Sequence, residues 1–326
     1  MGRAGRLVVD NSILSATAKC STYAFTRYAC GLATRQEALA LGAGSAIHLG
    51  LAAWLDGASP GDAVRRMAED YEARVERHLR LTERRQLGAD DKRFEPAWVE
   101  AVFSQWLDRN AESWPFKVLE HTAETPVSAP FPAAVPSGRD VIYVARLDAI
   151  VRKWDSAGKW SMDHKSTKKV TDWWKDKQKT SSQFSGHLWL SRAKKGELEL
   201  EGVVANVIEV PDPHRSERVC PDHKLSFQEC SVRHAGGTYL YITRSEPEMD
   251  GWFLSAKQLT RRYDGLTLRA KQEGIEGVRN VRMDGRFNDS CAFCELKEWC
   301  RLGRNTSKNA IRSMFVEDPW DPLKEG

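Results

Sequence analysis

Residues 140–169 read DVIYVARLDAIVRKWDSAGKWSMDHKSTKK. Apolar residues alternate with polar ones along the runs 140–154 and 159–167. Period-2 patterning of this kind predicts strands, and the turn DSAGK between them predicts an antiparallel hairpin. The hairpin carries Asp148 in its first strand and Asp163 in its second, so the two carboxylates are expected to face each other across the ladder. Lys165 follows Asp163 by two residues and therefore shares its strand face. A surface salt bridge would explain the lysine and one aspartate. A phosphodiesterase site would explain all three.

Two neighbouring carboxylates repel unless a cation lies between them. Hard oxygen donors suit Mg²⁺ or Mn²⁺. A lysine beside them can orient a water or offset the extra negative charge of a phosphoryl transition state, a contribution of about 10²–10³ in rate. Asp148, Asp163 and Lys165 are thus the candidate catalytic set. The D-x-K spacing alone is common by chance, and the upstream aspartate is what gives it weight.

Around this hairpin the period changes. Upstream, helices are predicted over 13–29 with Asn11 or Ser12 as cap, over 38–57, over 62–80 and over 94–114. The Pro-rich stretch VSAPFPAAVPSGRD (127–140) reads as a loop. Downstream come a helix over 181–196, a buried strand in VVANVIEV (203–210) and a helix over 255–274. The last twenty or so residues, polar and Pro-containing, read as a loosely held tail. The expected organisation is a helical region to residue 115, a core over 116–210, a cysteine-bearing region over 211–302 and a tail from 303 to 326.

The 326-residue chain carries a net charge of +4, which permits a polyanionic partner without requiring one. No run of 18 apolar residues and no signal-like leader occurs, so a cytoplasmic protein without a membrane association is expected. The sequence has no GxxxxGK[ST] motif for a nucleotide-driven motor. Trp173 and Trp174 lie among lysines in KKVTDWWKDKQK (168–179), where they either stack on nucleobases or pack a helix face.

Seven cysteines occur, an odd number that does not fit a disulfide framework. Three of them, Cys291, Cys294 and Cys300, form C-x₂-C-x₅-C and need a fourth ligand from elsewhere. Spacing alone favours zinc. Cys220 and Cys230, with His214, His223 and His234 nearby, read as an exposed loop or a second metal site.

LDAI followed by MDHKST resembles the PD-(D/E)XK nuclease superfamily, in its RecB-like branch with Cas4 and AddB relatives. That resemblance implies a restriction-endonuclease-like α/β core, a central mixed sheet flanked by helices. It assigns Asp148 to the first motif acid, and Asp163 and Lys165 to the (D/E)xK. GSAIH (Gly44 to His48) matches an upstream Gly-x-x-x-His helix, which makes His48 a metal ligand, together with the His164 backbone carbonyl. Gln183 matches the glutamine of a Gln-x-x-x-Tyr helix, but His187 stands at the tyrosine position. Glu124, or Glu120 behind it, matches an upstream glutamate, and Ala145 replaces a common glycine. Members of the branch with an iron–sulfur cluster place the fourth cysteine upstream, which here is Cys20 and leaves Cys30 as a buried helix residue. The resemblance therefore implies a [4Fe–4S] cluster on Cys20, Cys291, Cys294 and Cys300, with Zn²⁺ as the alternative. Closing so long a loop restricts the unfolded chain by roughly 5–6 kcal/mol in the chain-entropy picture.

The expected function is Mg²⁺- or Mn²⁺-dependent DNA hydrolysis, as an exonuclease on single strands or DNA ends. The setting would be recombination, repair or end processing, beside a separate helicase or recombination protein, with Lys168 and Lys169 along the DNA path. The rivals are a non-catalytic zinc-containing DNA-binding module and an inactive structural subunit.

Overall fold

The computed structural model describes residues 5–35, 38–120, 126–213, 224, 226, 236–287 and 290–323. A five-stranded mixed sheet forms its centre, in the order β3 (Phe116–Glu120), β6 (Ala149–Lys153), β7 (Lys159–Thr167), β8 (Gly202–Glu209), β9 (Gly237–Ile242). Only β7 and β8 run parallel; every other neighbouring pair is antiparallel.

The first expected hairpin strand is two strands. β5 (Val141–Arg146) leaves the central sheet and lies between β1 (Leu7–Val9) and β4 (Pro126–Pro130) in a second, three-stranded sheet. β6 alone forms the hairpin with β7, and their pairing ends at Ala149 opposite Met162. Asp148 is therefore at the corner between two sheets and has no ladder partner. The buried Leu147 beside it anchors that corner in the core. The alternating pattern of 140–154 is genuine, but two different sheets share it. β4 likewise occupies part of the stretch read as a loop.

β8 is buried along nearly its whole length, consistent with its continuous apolar run. Val203, Ala205 and Val207 pack against Phe184 and Leu188 of α7 (Ser182–Ala193). Ile208, from the alternate set, packs in a cluster with α3 (Leu39–Leu55), α4 (Pro60–Leu81) and α5 (Pro96–Asn110). Helices thus cover both faces of the sheet. The α3–α4–α5 layer is tight: a Cβ at Gly50 would lie 2.6 Å from the Phe103 ring and 2.9 Å from Met67. On the other face Gly186 lets α7 sit on Tyr143, whose hydroxyl would be 1.9 Å from an added Cβ.

The first predicted helix is broken. α1 (Asn11–Lys19) is capped by Asp10, whose carboxylate accepts the Ile13 N–H at 2.8 Å, and it stops at Cys20 in extended conformation. The short α2 (Ser21–Ala24) and a π-helical turn, Phe25–Ala29, follow. α6 (Asp172–Lys179) follows β7, and the long α8 (Glu246–Glu273) packs beside α1. One core cluster draws on residues from Leu7 to Phe315, across the boundaries at 115, 210 and 302.

The C-terminal segment is not a loose tail. After α9 (Lys297–Arg301) and α10 (Lys308–Met314), β10 (Phe315–Glu317) pairs with β2 (Leu32–Thr34). Asp318 pairs with Arg27 at 2.7 Å, and the Trp320 indole N–H donates to Asp10 at 2.8 Å. A polar composition hid two anchors, one aromatic and one ionic. Among the described residues, no helix is long and apolar enough to cross a membrane.

Candidate active site and cysteine cavity

Strand alternation divides the motif residues between the two faces of β7. Asp163 and Lys165 register with Ala205 and Val207 of β8, on the side covered by α7. His164 registers with Asn206, on the side of α3. On the first side, Gln183 ties the acid to the base. Its amide N–H donates to Asp163 Oδ1 at 2.6 Å, and its carbonyl oxygen accepts from Lys165 Nζ at 2.9 Å. Lys165 Nζ also lies 2.7 Å from Asp163 Oδ2. That last contact is ionic, without hydrogen-bond geometry, so the buried Oδ2 has no directed donor.

Beside the strand, at the corner between the two sheets, His48 Nδ1 lies 3.4 Å from Asp148 Oδ2. The same oxygen accepts the His164 backbone N–H at 2.7 Å, which is how a residue outside the ladder is held against β7. The His48 and His164 rings meet edge to face with centroids 5.7 Å apart. Asn206 Nδ2 reaches His164 Nδ1 at 2.9 Å and fixes that ring. Burial would raise Asp148 and lower His48. Their mutual attraction outweighs it, so Asp148 is held far below the usual carboxylate range and His48 above the usual imidazole range. Both side chains keep partial solvent contact, 25% and 36% exposed, which tempers the pairing.

A family model for the PD-(D/E)XK nuclease superfamily matches residues 11–301. The chain belongs to that superfamily. No curated protein matches it. Members of the superfamily are generally nucleases and typically use Mg²⁺ or Mn²⁺.

Set against the superfamily motif, His48, Asp148, Asp163, Lys165 and Gln183 all come to one end of β7. The facing of the two aspartates across a ladder is corrected: Asp148 reaches β7 through the His164 N–H instead. The donor chemistry, two carboxylates and an imidazole, fits a hard divalent ion. Among the described residues, however, no three His, Cys, Asp or Glu side chains converge tightly enough to hold one. His48 and Asp148 pair with each other, and the Lys165 ammonium sits on Asp163. Glu120 ends β3, and residue 124 lies outside the described residues. His187 is buried and accepts or donates at Ser161 Oγ, 3.0 Å away; burial holds its pKa below the usual range.

Asn206 was missed. The available signal was a single amide inside VVANVIEV, because a polar side chain in a buried strand needs a partner. Here the partner is the histidine of the D-H-K motif.

Cys20, Cys291, Cys294 and Cys300 line one cavity of about 820 Å³. Gly285 packs into the gap between Cys20 and Cys291: an added Cβ would be 3.4 Å from Cys20 Cβ and 3.3 Å from Cys291 Sγ. Burial, followed by the neighbouring cysteines, raises the Cys294 thiol and pushes Cys300 up to about 11. Cys30 does not line this cavity; it packs against the core, and burial pushes its thiol up to about 12. Cys220, Cys230 and the histidines at 214, 223 and 234 lie outside the described residues.

Proposed function

We propose that this chain is a metal-dependent deoxyribonuclease of the RecB type, hydrolysing single-stranded DNA or DNA ends. The observation that carries the reading is the Asp163–Lys165–Gln183 clamp on β7, with the His48–Asp148 pair beside it at the same strand end. Folding alone gives no reason to gather two acids, a lysine and a histidine at one strand end. His48, Asp148, Asp163 and the His164 carbonyl would hold Mg²⁺ or Mn²⁺, which supplies positive charge to the phosphate and favours loss of a proton from water. Lys165, positioned by Gln183, orients the attacking water and offsets charge gathering on the phosphate oxygens. Asn206 keeps the His164 ring, and with it the strand end, in place.

The cysteine cavity supports a second part of the same reading, a [4Fe–4S] cluster on Cys20, Cys291, Cys294 and Cys300. Zinc would bring thiolates to about 2.3 Å from one point. These four line one cavity of about 820 Å³, room enough for a group larger than a single ion. The cluster fastens α1 to the C-terminal region. Recombination or end processing beside a separate helicase suits a nuclease without its own motor.

The test is anaerobic purification, followed by iron and sulfide analysis and cleavage of labelled single- and double-stranded DNA with Mn²⁺. Wild type is expected to cut and Lys165→Ala to lose about 10²–10³ in rate. Equal cleavage by the two proteins would overturn the nuclease reading; stoichiometric zinc without iron would overturn the cluster.

A further inference from the structure

The two adjacent tryptophans of α6 have opposite environments. Trp174 is half-buried and packs against the cluster built on Phe184 and Leu188. Trp173 is 71% exposed, the most of any big apolar side chain among the described residues, and its ring contact is with Lys177, whose ammonium lies 5.3 Å from the ring centroid. The helix itself is firmly placed: Thr171 Oγ1 caps it by accepting the Trp174 N–H at 3.2 Å, and the Val170 N–H donates to Glu209 Oε1 at 2.5 Å.

Position links this indole to the active site. α6 starts seven residues after Lys165 on the same run of chain. Lys177 lines the rim of the cysteine cavity, as do Ala38 and Leu41 at the start of α3. Two turns along, α3 carries His48, and its Gly44 faces the end of β7, where an added Cβ would lie 3.3 Å from Ser166 Oγ. α3 and α6 therefore border the same end of β7. The charge there is positive and partly uncommitted. Lys168, Lys175 and Lys179 pair with Asp212, Asp172 and Asp176, whereas Lys169 and Lys177 have no acidic partner among the described residues.

We infer that Trp173 is a nucleobase-stacking residue for single-stranded DNA at the Asp163–Lys165 site, with Lys177 contacting the adjacent phosphate. An aromatic face beside an uncommitted cation matches the two faces of a single strand, base and phosphate. A duplex hides its base faces and offers this indole nothing to stack on. The inference deepens the nuclease reading and rests on it.

The experiment measures fluorescence anisotropy of a labelled oligothymidylate, and of an abasic strand of equal length, with the full chain carrying Lys165→Ala so that no strand is cut. Trp173→Ala is expected to weaken thymidylate binding about tenfold and to leave the abasic strand unchanged. Trp173→Phe is expected to retain most of the affinity, and Lys177→Ala to weaken both strands. Thymidylate binding by Trp173→Ala equal to its parent, or equal losses on both strands, overturns stacking; the first result would leave Trp173 as a protein-docking residue. Cleavage assays on the wild-type background keep the two ideas apart. If Lys165→Ala abolishes cutting while Trp173→Ala binds thymidylate normally, the nuclease reading stands and the stacking role falls.

Discussion

The end of β7 and the cysteine cavity are assembled in opposite ways. Asp163, His164 and Lys165 come from a single strand, and Gln183 comes from the next helix but one. Only His48 is distant in sequence, and α3 delivers it to Asp148 across 3.4 Å. The cavity, by contrast, joins Cys20 at the close of α1 to Cys291, Cys294 and Cys300 near the C-terminus. A locally built site inherits its geometry from strand alternation and is rigid as soon as the sheet forms. A site closed over most of the chain depends on global folding and in turn restricts the unfolded ensemble. Chemistry and stability should therefore separate between the two regions.

Lys165→Ala tests that separation at its largest. It should lower the cleavage rate by about 10²–10³ and lower the melting temperature less than loss of Cys20 does, because Gln183 still bonds the buried Asp163. Cys20→Ser should do the reverse. On the cluster reading it removes the tie between the chain's two ends at a cost of about 2–5 kcal/mol, by analogy with long-loop cross-links. Calorimetry of matched samples should show a fall of several degrees, with the residual folded enzyme still cutting. Coincident loss of activity and melting temperature in both variants would show that the two regions form one cooperative unit.

The same contrast explains what could be read before the structure was known. Local signals were legible: the D-x-K spacing on β7, the helix with Gly44 and His48, Gln183, and the apolar run of β8. Features defined by distant contacts were not. Residues 140–154 alternate without a break, because a strand changing sheets keeps period 2 on both sides of the corner at Leu147 and Asp148. The helix over 13–29 shows helical periodicity, yet Cys20 is extended, and no propensity rule marks a backbone held at Ser21 and Thr22 against Asp284 and Arg282, 263 and 260 residues away. Composition also made 303–323 look detachable, when Trp320 and Asp318 fasten it.

Asp264 sharpens the comparison on the side of global stability. It is fully buried on α8 and receives the Ser137 N–H at 2.9 Å, the Ser137 hydroxyl at 2.7 Å and Arg139 Nη2 at 2.5 Å, so it orders the loop before β5. Burial pushes its carboxyl up, but these donors outweigh burial and hold it below the usual value. An acid with a lowered folded pKa stabilises above its unfolded pKa, near 4, and that stability is lost as pH falls through the folded value. Asp264→Asn should cost about 3 kcal/mol at pH 7 by leaving Arg139 buried without a counter-charge. Urea unfolding from pH 7 to pH 3 should also show a flatter acid limb than wild type. An unchanged acid limb would place the pH dependence elsewhere.

The smallest expected effect comes from the C-terminal anchor, which reaches the first of the two regions. Trp320 donates to Asp10 at 2.8 Å, meets Tyr28 edge to face and lines a cavity of about 200 Å³ shared with Gln183 and His187. Burial raises the Asp10 carboxyl despite its bonds to the Ile13 N–H and to Trp320, so ionised Asp10 is a standing cost to the fold at neutral pH. Trp320→Ala removes one of the donors that reduce this cost, at about 1–2 kcal/mol. The sign of its pH dependence is opposite to that of Asp264. A raised folded pKa means the folded state binds the proton more tightly, so acidification relieves the cost and alkalinity restores it. The stability gap between wild type and Trp320→Ala should therefore be widest at pH 8 and narrow as Asp10 becomes protonated. A gap independent of pH would mean that Trp320 acts through its packing on Tyr28 alone and that Asp10 caps α1 without its help.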